Sequence, residues 1–217
     1  MTKETFFHCL ELLRAEYSKW DAPAKRFENA YRRTPYTILI STLLSFQTRD
    51  EMTLEAGKRL FALADTPEAM LRLSEEKIAE TIYPVGFWRK KAASVRHVSR
   101  ELLERHKGEV PSTLRELIEL KGVGPKTAKI VLENAFGAEV AAVDTHVHRL
   151  VNLLGFLRSR SPEETDRILE RELLPEERKG LNRLLVSFGQ VICRPRHPDC
   201  DRCPLKECCP ASQSRSS

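Results

Sequence analysis

Five of the chain's six cysteines, Cys193, Cys200, Cys203, Cys208 and Cys209, fall within 17 residues, while Cys9 stands apart near the other end. Glu4 sits where an export leader wants basic residues, and no small-residue cleavage site follows, so a reducing compartment is expected. Clustered thiols there serve as metal ligands more often than as disulfides. Four thiolates suit zinc as well as iron. A second group of residues surrounds Lys126, in Leu120-Lys121-Gly122-Val123-Gly124-Pro125-Lys126-Thr127-Ala128. Two glycines separate one amphipathic segment from another, which predicts a helix, a tight turn and a second helix. Glycine lets such a turn take positive φ and approach another surface, and the N–H groups that open the second helix form an anion site. A lysine amine is a nucleophile once deprotonated, and the positive end of a helix dipole disfavours its ammonium form. An ordinary solvated lysine in an ordinary helix hairpin is the alternative. Asp144, ahead of Thr145-His146-Val147-His148-Arg149, is placed either to accept a proton or to cap the helix that follows. His146 and His148 have no further metal-ligand partner at helical spacing and read as structural or surface-facing.

The elements that must carry these residues are helices. Only nine glycines occur in 217 residues, and Asn-Gly, Asp-Gly and Gly-Gly pairs are missing, so the strongest hairpin signals of a β protein are lacking. Helical periodicity runs through Phe6, Phe7, Leu10, Leu13 and Tyr17, and through Ile38, Leu39, Thr42, Leu43 and Phe46 behind Pro35. Thr66-Pro67, Ser74 with Glu75 and Glu76, and Ser161-Pro162-Glu163-Glu164 signal helix starts, with Glu164 closing a capping box on Ser161. The expectation is an all-α chain of about ten helices, with a loop-like cysteine tail after Ile192 and a frayed polar end over Ser212–Ser217. The composition, 41% hydrophobic and 31% charged, is that of a soluble globular protein, and the longest stretch without a formal charge, Thr34 to Thr48, is too short to span a bilayer. From Trp88 to Lys107, seven basic residues (Arg89, Lys90, Lys91, Arg96, Arg100, Arg105, Lys107) stand against Glu101 and Glu104. That local excess equals the +5 of the whole chain. It is the footprint of a polyanion-binding surface such as one for nucleic acid, or else a solvated helix face.

Leu120 to Ala128 resembles the helix-hairpin-helix of DNA glycosylases of the endonuclease III family. The resemblance continues in order along the chain. Val143-Asp144-Thr145-His146-Val147-His148-Arg149 is similar to the family's catalytic aspartate segment. Cys193, six residues, Cys200, two residues, Cys203, five residues, Cys209 is similar to its 4Fe-4S cluster loop. Leu43-Leu44-Ser45-Phe46-Gln47-Thr48-Arg49-Asp50 resembles its DNA-inserting loop. Four ordered motifs cover roughly residues 30 to 210.

The resemblance implies a two-lobed all-α fold. One lobe, residues 28–138, carries the helix-hairpin-helix at about 113–133; the other, 1–27 with 139–217, carries the iron–sulfur loop at 193–209. It implies a bifunctional DNA glycosylase with AP lyase activity that removes oxidised or ring-saturated pyrimidines from double-stranded DNA in base excision repair. Lys126 would attack the sugar C1′ and Asp144 would assist. Gln47 and Phe87 would fill the space of an extruded nucleotide, and Gly122, Val123, Gly124, Lys126 and Thr127 would meet the phosphates. Cys193, Cys200, Cys203 and Cys209 would hold the cluster, leaving Cys208 spare. A monomer in the cytoplasm of a prokaryote, associated with the nucleoid and not with a membrane, is expected. Lys121, Pro125 and Phe46 depart from the family's usual residues and bear on phosphate affinity and substrate preference. The rival readings are a monofunctional mismatch glycosylase of the same superfamily, against which Lys126 argues, and a non-catalytic DNA-binding module with a structural or redox cluster.

Overall fold

The computed structural model describes residues 1–213; the rest of the polar end, 214–217, lies outside the described residues. Every regular element among them is helical. The helix starts follow from side-chain capping. Thr34, Thr66, Ser74, Thr113, Asp144 and Ser161 each accept a hydrogen bond from the backbone N–H three residues on, and proline opens the helices behind Thr34, Thr66 and Ser161. At Ser161 the expected capping box is only half made. Ser161 accepts from the Glu164 N–H at 3.2 Å, but the Glu164 carboxylate reaches past it to the Arg160 N–H at 2.6 Å. More helices are present than hydrophobic periodicity indicates, because Pro23–Arg26, Pro175–Arg178 and Pro210–Gln213 are four-residue turns, too short to show a repeat. The last of these overlaps the end expected to fray: Ser212 lies within it and donates to the Lys206 carbonyl at 2.8 Å.

The chain divides into two compact units, Arg26–Ala138 and Met1–Lys25 with Glu139–Ser217. In the continuous unit, helix Pro35–Ser45 packs on Pro125–Phe136, and helix Trp88–His106 packs on Pro67–Arg72 and Glu75–Ile82. Leu39, Ile40, Leu44, Leu60, Met70, Ile78, Ile82, Val95 and Leu102 are buried there. One polar tie crosses this core, from the Tyr36 hydroxyl to Ser99 Oγ at 2.6 Å. Satisfying both hydroxyls inside apolar surroundings fixes the register of the two helices that carry them.

The discontinuous unit is built on helix Lys3–Glu16, which buries Phe6, Leu10 and Leu13 against Val147, Leu150 and Val151 of helix Thr145–Leu153 and Leu184, Leu185 and Phe188 of helix Leu181–Val191. Phe6 stacks on Phe156 with centroids 4.0 Å apart. The Met1 ammonium donates to the Gly155 carbonyl at 2.8 Å. Truncating Phe6 removes a fully buried ring and its stacking partner at once, so Phe6→Ala is expected to lower unfolding free energy by about 3–5 kcal/mol. Urea titration followed by near-ultraviolet circular dichroism measures this; a loss below about 1 kcal/mol would contradict the packing described.

Candidate functional site

The turn between helices Leu114–Glu119 and Pro125–Phe136 divides its work between two glycines. Gly122 has φ +89, a conformation that a side chain resists, whereas Gly124 is extended and serves as N-cap without any capping side chain. A Cβ built on either would meet nothing within 4 Å, so the backbone faces open space. Val123 between them is buried and turns its N–H inward to the Leu120 carbonyl at 3.0 Å. Proline at the first helical position has no N–H, and the amides of Lys126 and Thr127 open the helix without a side-chain cap. The Lys126 side chain is exposed at this end. These residues form a donor-rich rim around an exposed amine.

Asp144 is the N-cap of helix Thr145–Leu153, with Oδ1 accepting the Val147 N–H at 2.8 Å. Half-buried, it keeps its second carboxylate oxygen for other work. His148 belongs to a polar network, its Nδ1 2.6 Å from Thr165 Oγ1, which is itself 2.5 Å from Ser159 Oγ. That is a structural role. His146 Nδ1 is buried without a hydrogen-bond partner, hard against Gly189, where an added Cβ would come within 2.6 Å of it.

Gln47 and Phe87 both adopt left-handed backbone, at φ 49 and 56. Phe46 and Phe87 are 65% and 58% exposed, so neither ring belongs to the core. Beneath these turns lies a residue whose role is hidden in the linear sequence. Lys91 is 7% exposed and spends all three ammonium hydrogens, on Leu44 O at 2.7 Å, Phe46 O at 2.6 Å and Thr48 Oγ1 at 2.8 Å. Burial pushes its pKa down to about 8, which still leaves the ammonium dominant at neutral pH. The signal that could have found it is its position. Lys91 falls on the buried stripe of Val95, Val98 and Leu102, where a lysine is out of place unless its head is bonded.

The basic run is therefore not one continuous stripe. Lys91 is buried, Arg96 donates to the Leu73 carbonyl at 2.8 Å, Arg105 pairs with Glu101 and Glu119, and Arg89 stacks over Trp88 at 4.0 Å. Capping, ion pairing and stacking occupy four of its seven basic side chains, so the run matches neither a uniform polyanion footprint nor a purely solvated face.

In the cysteine loop, Cys193, Cys200, Cys203 and Cys209 line a cavity of ≈ 160 Å³ floored by Leu153, Leu154, Phe188, Ile192 and Leu205. A single water needs only about 10–15 Å³ by such a measure, so the space admits a multi-atom group. Among the described residues no three His, Cys, Asp or Glu side chains form a ligand set for one metal ion; the thiols line a space without meeting at a point. Burial pushes the Cys193 thiol up, partly offset by Arg149, whose guanidinium lies 3.6 Å from its Sγ and donates to its carbonyl at 2.5 Å. Burial takes Cys203 up to about 11. Cys208 faces elsewhere, with its Sγ 3.1 Å from that of Cys9. Cys9 is fully buried and pushed up to about 12, first by burial and then by its Cys208 contact. Of the basic residues between the cavity cysteines, Arg202 and Lys206 pair with Asp199 and Asp201. Among the described residues, no helix is long and apolar enough to cross a membrane.

Residues 40–175 match the HhH-GPD superfamily of base excision DNA repair proteins. Endonuclease III of Thermotoga maritima is 45% identical over 187 residues, which cover 85% of this chain and 87% of that relative. Among solved structures, a non-covalent endonuclease III–DNA complex aligns with a TM-score of 0.87 at 31% identity, over 100% of this chain and 99% of that one. A trapped endonuclease III–DNA covalent intermediate, an estranged-adenine complex, aligns with a TM-score of 0.84 at 32% identity, over 100% of both chains.

The two glycines of the hairpin turn are separable by experiment. Gly122→Ala forces a side chain into positive φ and is expected to cost about 1–2 kcal/mol of stability. Gly124→Ala has room and ordinary backbone, so stability should stay within about 0.5 kcal/mol while affinity for duplex DNA falls, because the added methyl stands where a phosphate would approach. Thermal melts and duplex-binding titrations distinguish them; unchanged affinity in Gly124→Ala would show that no anion comes close to this turn.

Proposed function

Because the chain belongs to the endonuclease III family of HhH-GPD base excision DNA repair proteins, we propose that it is a DNA N-glycosylase with AP lyase activity, acting as a monomer on oxidised or ring-saturated pyrimidines in double-stranded DNA at a prokaryotic nucleoid. The observation that carries this reading is Lys126, an exposed amine on the uncapped first turn of the helix behind an open glycine turn. A relative caught covalently joined to DNA supports it, since a covalent intermediate requires a nucleophile on the enzyme.

In this mechanism the Lys126 amine donates its lone pair to C1′ of the damaged nucleotide. The glycosidic C1′–N bond breaks, and its electron pair leaves with the base. Asp144 accepts the proton that the attacking amine loses, and its negative charge stabilises the positive charge that builds on the sugar. Ring opening gives an imine between Lys126 and C1′. Loss of a C2′ proton then expels the 3′ phosphate, and hydrolysis returns the free lysine. The uncapped amides of Lys126 and Thr127, with the Gly122–Gly124 turn, hold a backbone phosphate meanwhile. Gln47 and Phe87 occupy the space left by the extruded nucleotide, Gln47 by hydrogen bonding to the orphaned base and Phe87 by stacking.

Cys193, Cys200, Cys203 and Cys209 fit a soft, multi-atom group, and we assign them to a 4Fe-4S cluster, which when bound supplies a cross-link that folds the loop. Arg194 and Arg196 on that loop are then presented to the DNA backbone. Raised thiol pKa values mean that the loop must give up protons when the four sulfurs become ligands. Purified Cys209→Ser is expected to lose bound iron and its yellow-brown colour, and Cys208→Ser to keep both. Loss of iron in Cys208→Ser with retention in Cys209→Ser would reverse the fourth ligand.

The catalytic assignment has a direct test. Wild-type protein incubated with lesion-bearing duplex and borohydride should yield a stable covalent adduct by reduction of the imine. A monofunctional glycosylase or a binding module would give none. Lys126→Gln should abolish both adduct and excision while retaining duplex binding. Asp144→Asn keeps a capping oxygen and should slow excision by about 10²–10⁴-fold with the fold intact. Robust trapping by Lys126→Gln would transfer the nucleophile to another amine.

A further inference from the structure

We propose that Lys91 is a positioning residue for nucleotide extrusion: its ammonium ties the Phe46-Gln47-Thr48 turn to the Gly86-Phe87 turn, so that Gln47 and Phe87 enter the duplex as one preorganised wedge. The proposal rests on reading the chain as a glycosylase and assigns the reaction a residue that touches neither substrate nor reacting atoms.

Two independent features require such a tie. Helix Pro35–Ser45 ends just before the first turn, and the carbonyls of a helix's last turn have no partner within the helix. Lys91 satisfies Leu44 O there and goes on to Phe46 O, so the charge also sits at the negative end of that helix. The second feature is strain. Gln47 and Phe87 hold positive φ without being glycine, and such residues persist only where their surroundings over-determine them. Thr48 Oγ1 is the shared node. It accepts from Lys91 Nζ at 2.8 Å and from the Gly86 N–H at 3.0 Å, and it lies 3.3 Å from Phe46 O, to which it donates. The two turns meet at backbone distance, since a Cβ on Gly86 would come within 2.5 Å of the Gln47 carbonyl.

Phe46 and Phe87 point their rings to solvent and gain little order from packing. Rigidity must come from below, and Lys91 is the buried group that joins the end of helix Pro35–Ser45, through the Leu44 carbonyl, to the first turn, through the Phe46 carbonyl and Thr48 Oγ1, and so to the second through the Gly86 N–H that Thr48 also accepts. A preorganised wedge does not lose free energy to loop ordering at the moment of insertion.

The test is a double-mutant cycle in the full-length protein. Lys91→Met keeps the apolar stem and removes the donors; Thr48→Val removes the node and serves where Lys91→Met folds poorly. In single-turnover excision from a lesion-bearing duplex, each is expected to slow base removal by about 10–100-fold. In a Gln47→Ala background the further loss should shrink to less than about 3-fold, because the wedge is already broken. Borohydride trapping on a duplex whose abasic sugar is already unpaired in a one-nucleotide bulge needs no extrusion, and there both variants should stay within about 2-fold of wild type. Full additivity with Gln47→Ala, or an equal loss on the bulged abasic duplex, would overturn the positioning role and leave Lys91 as a general stability residue. Wild-type protein that neither excises the lesion base nor traps on either DNA would overturn the glycosylase reading itself, and with it this proposal.

Discussion

A helix satisfies its own backbone everywhere except at its ends, and in this chain the candidate functional groups are found at those ends. Lys126 is the second residue of its helix, behind a proline that has no N–H, and Asp144 is the N-cap of another. Phe87 precedes the first residue of helix Trp88–His106, and Lys91 serves the closing carbonyls of Pro35–Ser45. Cys193 follows directly on the C-cap of Leu181–Val191, and its N–H still bonds the Phe188 carbonyl at 2.9 Å. Without strand edges among the described residues, an all-α architecture offers polar backbone to a partner only in this way. Placing side-chain chemistry at helix ends puts it beside N–H donors or carbonyl acceptors that already need a partner.

The same constraint sets where strain is tolerated. Gly122 takes positive φ at no steric cost, and its neighbours need no special support. Gln47 and Phe87 take positive φ with full side chains, and these are the two turns bound together through Thr48, Lys91 and the close approach of Gly86. One turn is made permissive by composition and the other pair is held by hydrogen bonds. On the proposed reading the difference follows from what each turn would present to DNA, since a phosphate cradle needs bare backbone whereas a wedge needs side chains to insert.

Local chemistry was the legible part of the sequence. Caps such as Thr66, Ser74 and Ser161 act through an oxygen and an N–H three residues apart, and the glycine hairpin is spelled out within nine residues, so both can be read without knowledge of tertiary structure. The helix-only architecture followed from periodicity and from missing turn pairs. What stayed hidden depends on partners far along the chain. Lys91 reads as one more charge in a basic run until Leu44 and Phe46 are seen above it, and Arg96 likewise until Leu73 takes its guanidinium. The capping box at Ser161 failed for a smaller reason: the Glu164 carboxylate found the Arg160 N–H one residue earlier.

The adjacent thiols Cys208 and Cys209 show how a distant element sorts identical neighbours. Spacing alone treats them almost alike. Cys9, buried in helix Lys3–Glu16, places its Sγ 3.1 Å from that of Cys208, which also lies 3.6 Å from the Leu205 carbonyl. Cys209 is thereby the one of the pair on the cavity beside Cys193, Cys200 and Cys203. The two surroundings differ in what they ask of sulfur. Burial and the contact with Cys208 both push the Cys9 thiol up. The cavity instead has the Arg149 guanidinium at Cys193, which favours thiolate against the effect of burial. The packing of the N-terminal helix, and not the order of cysteines in the loop, is what sets Cys208 against Cys9 and leaves Cys209 on the cavity.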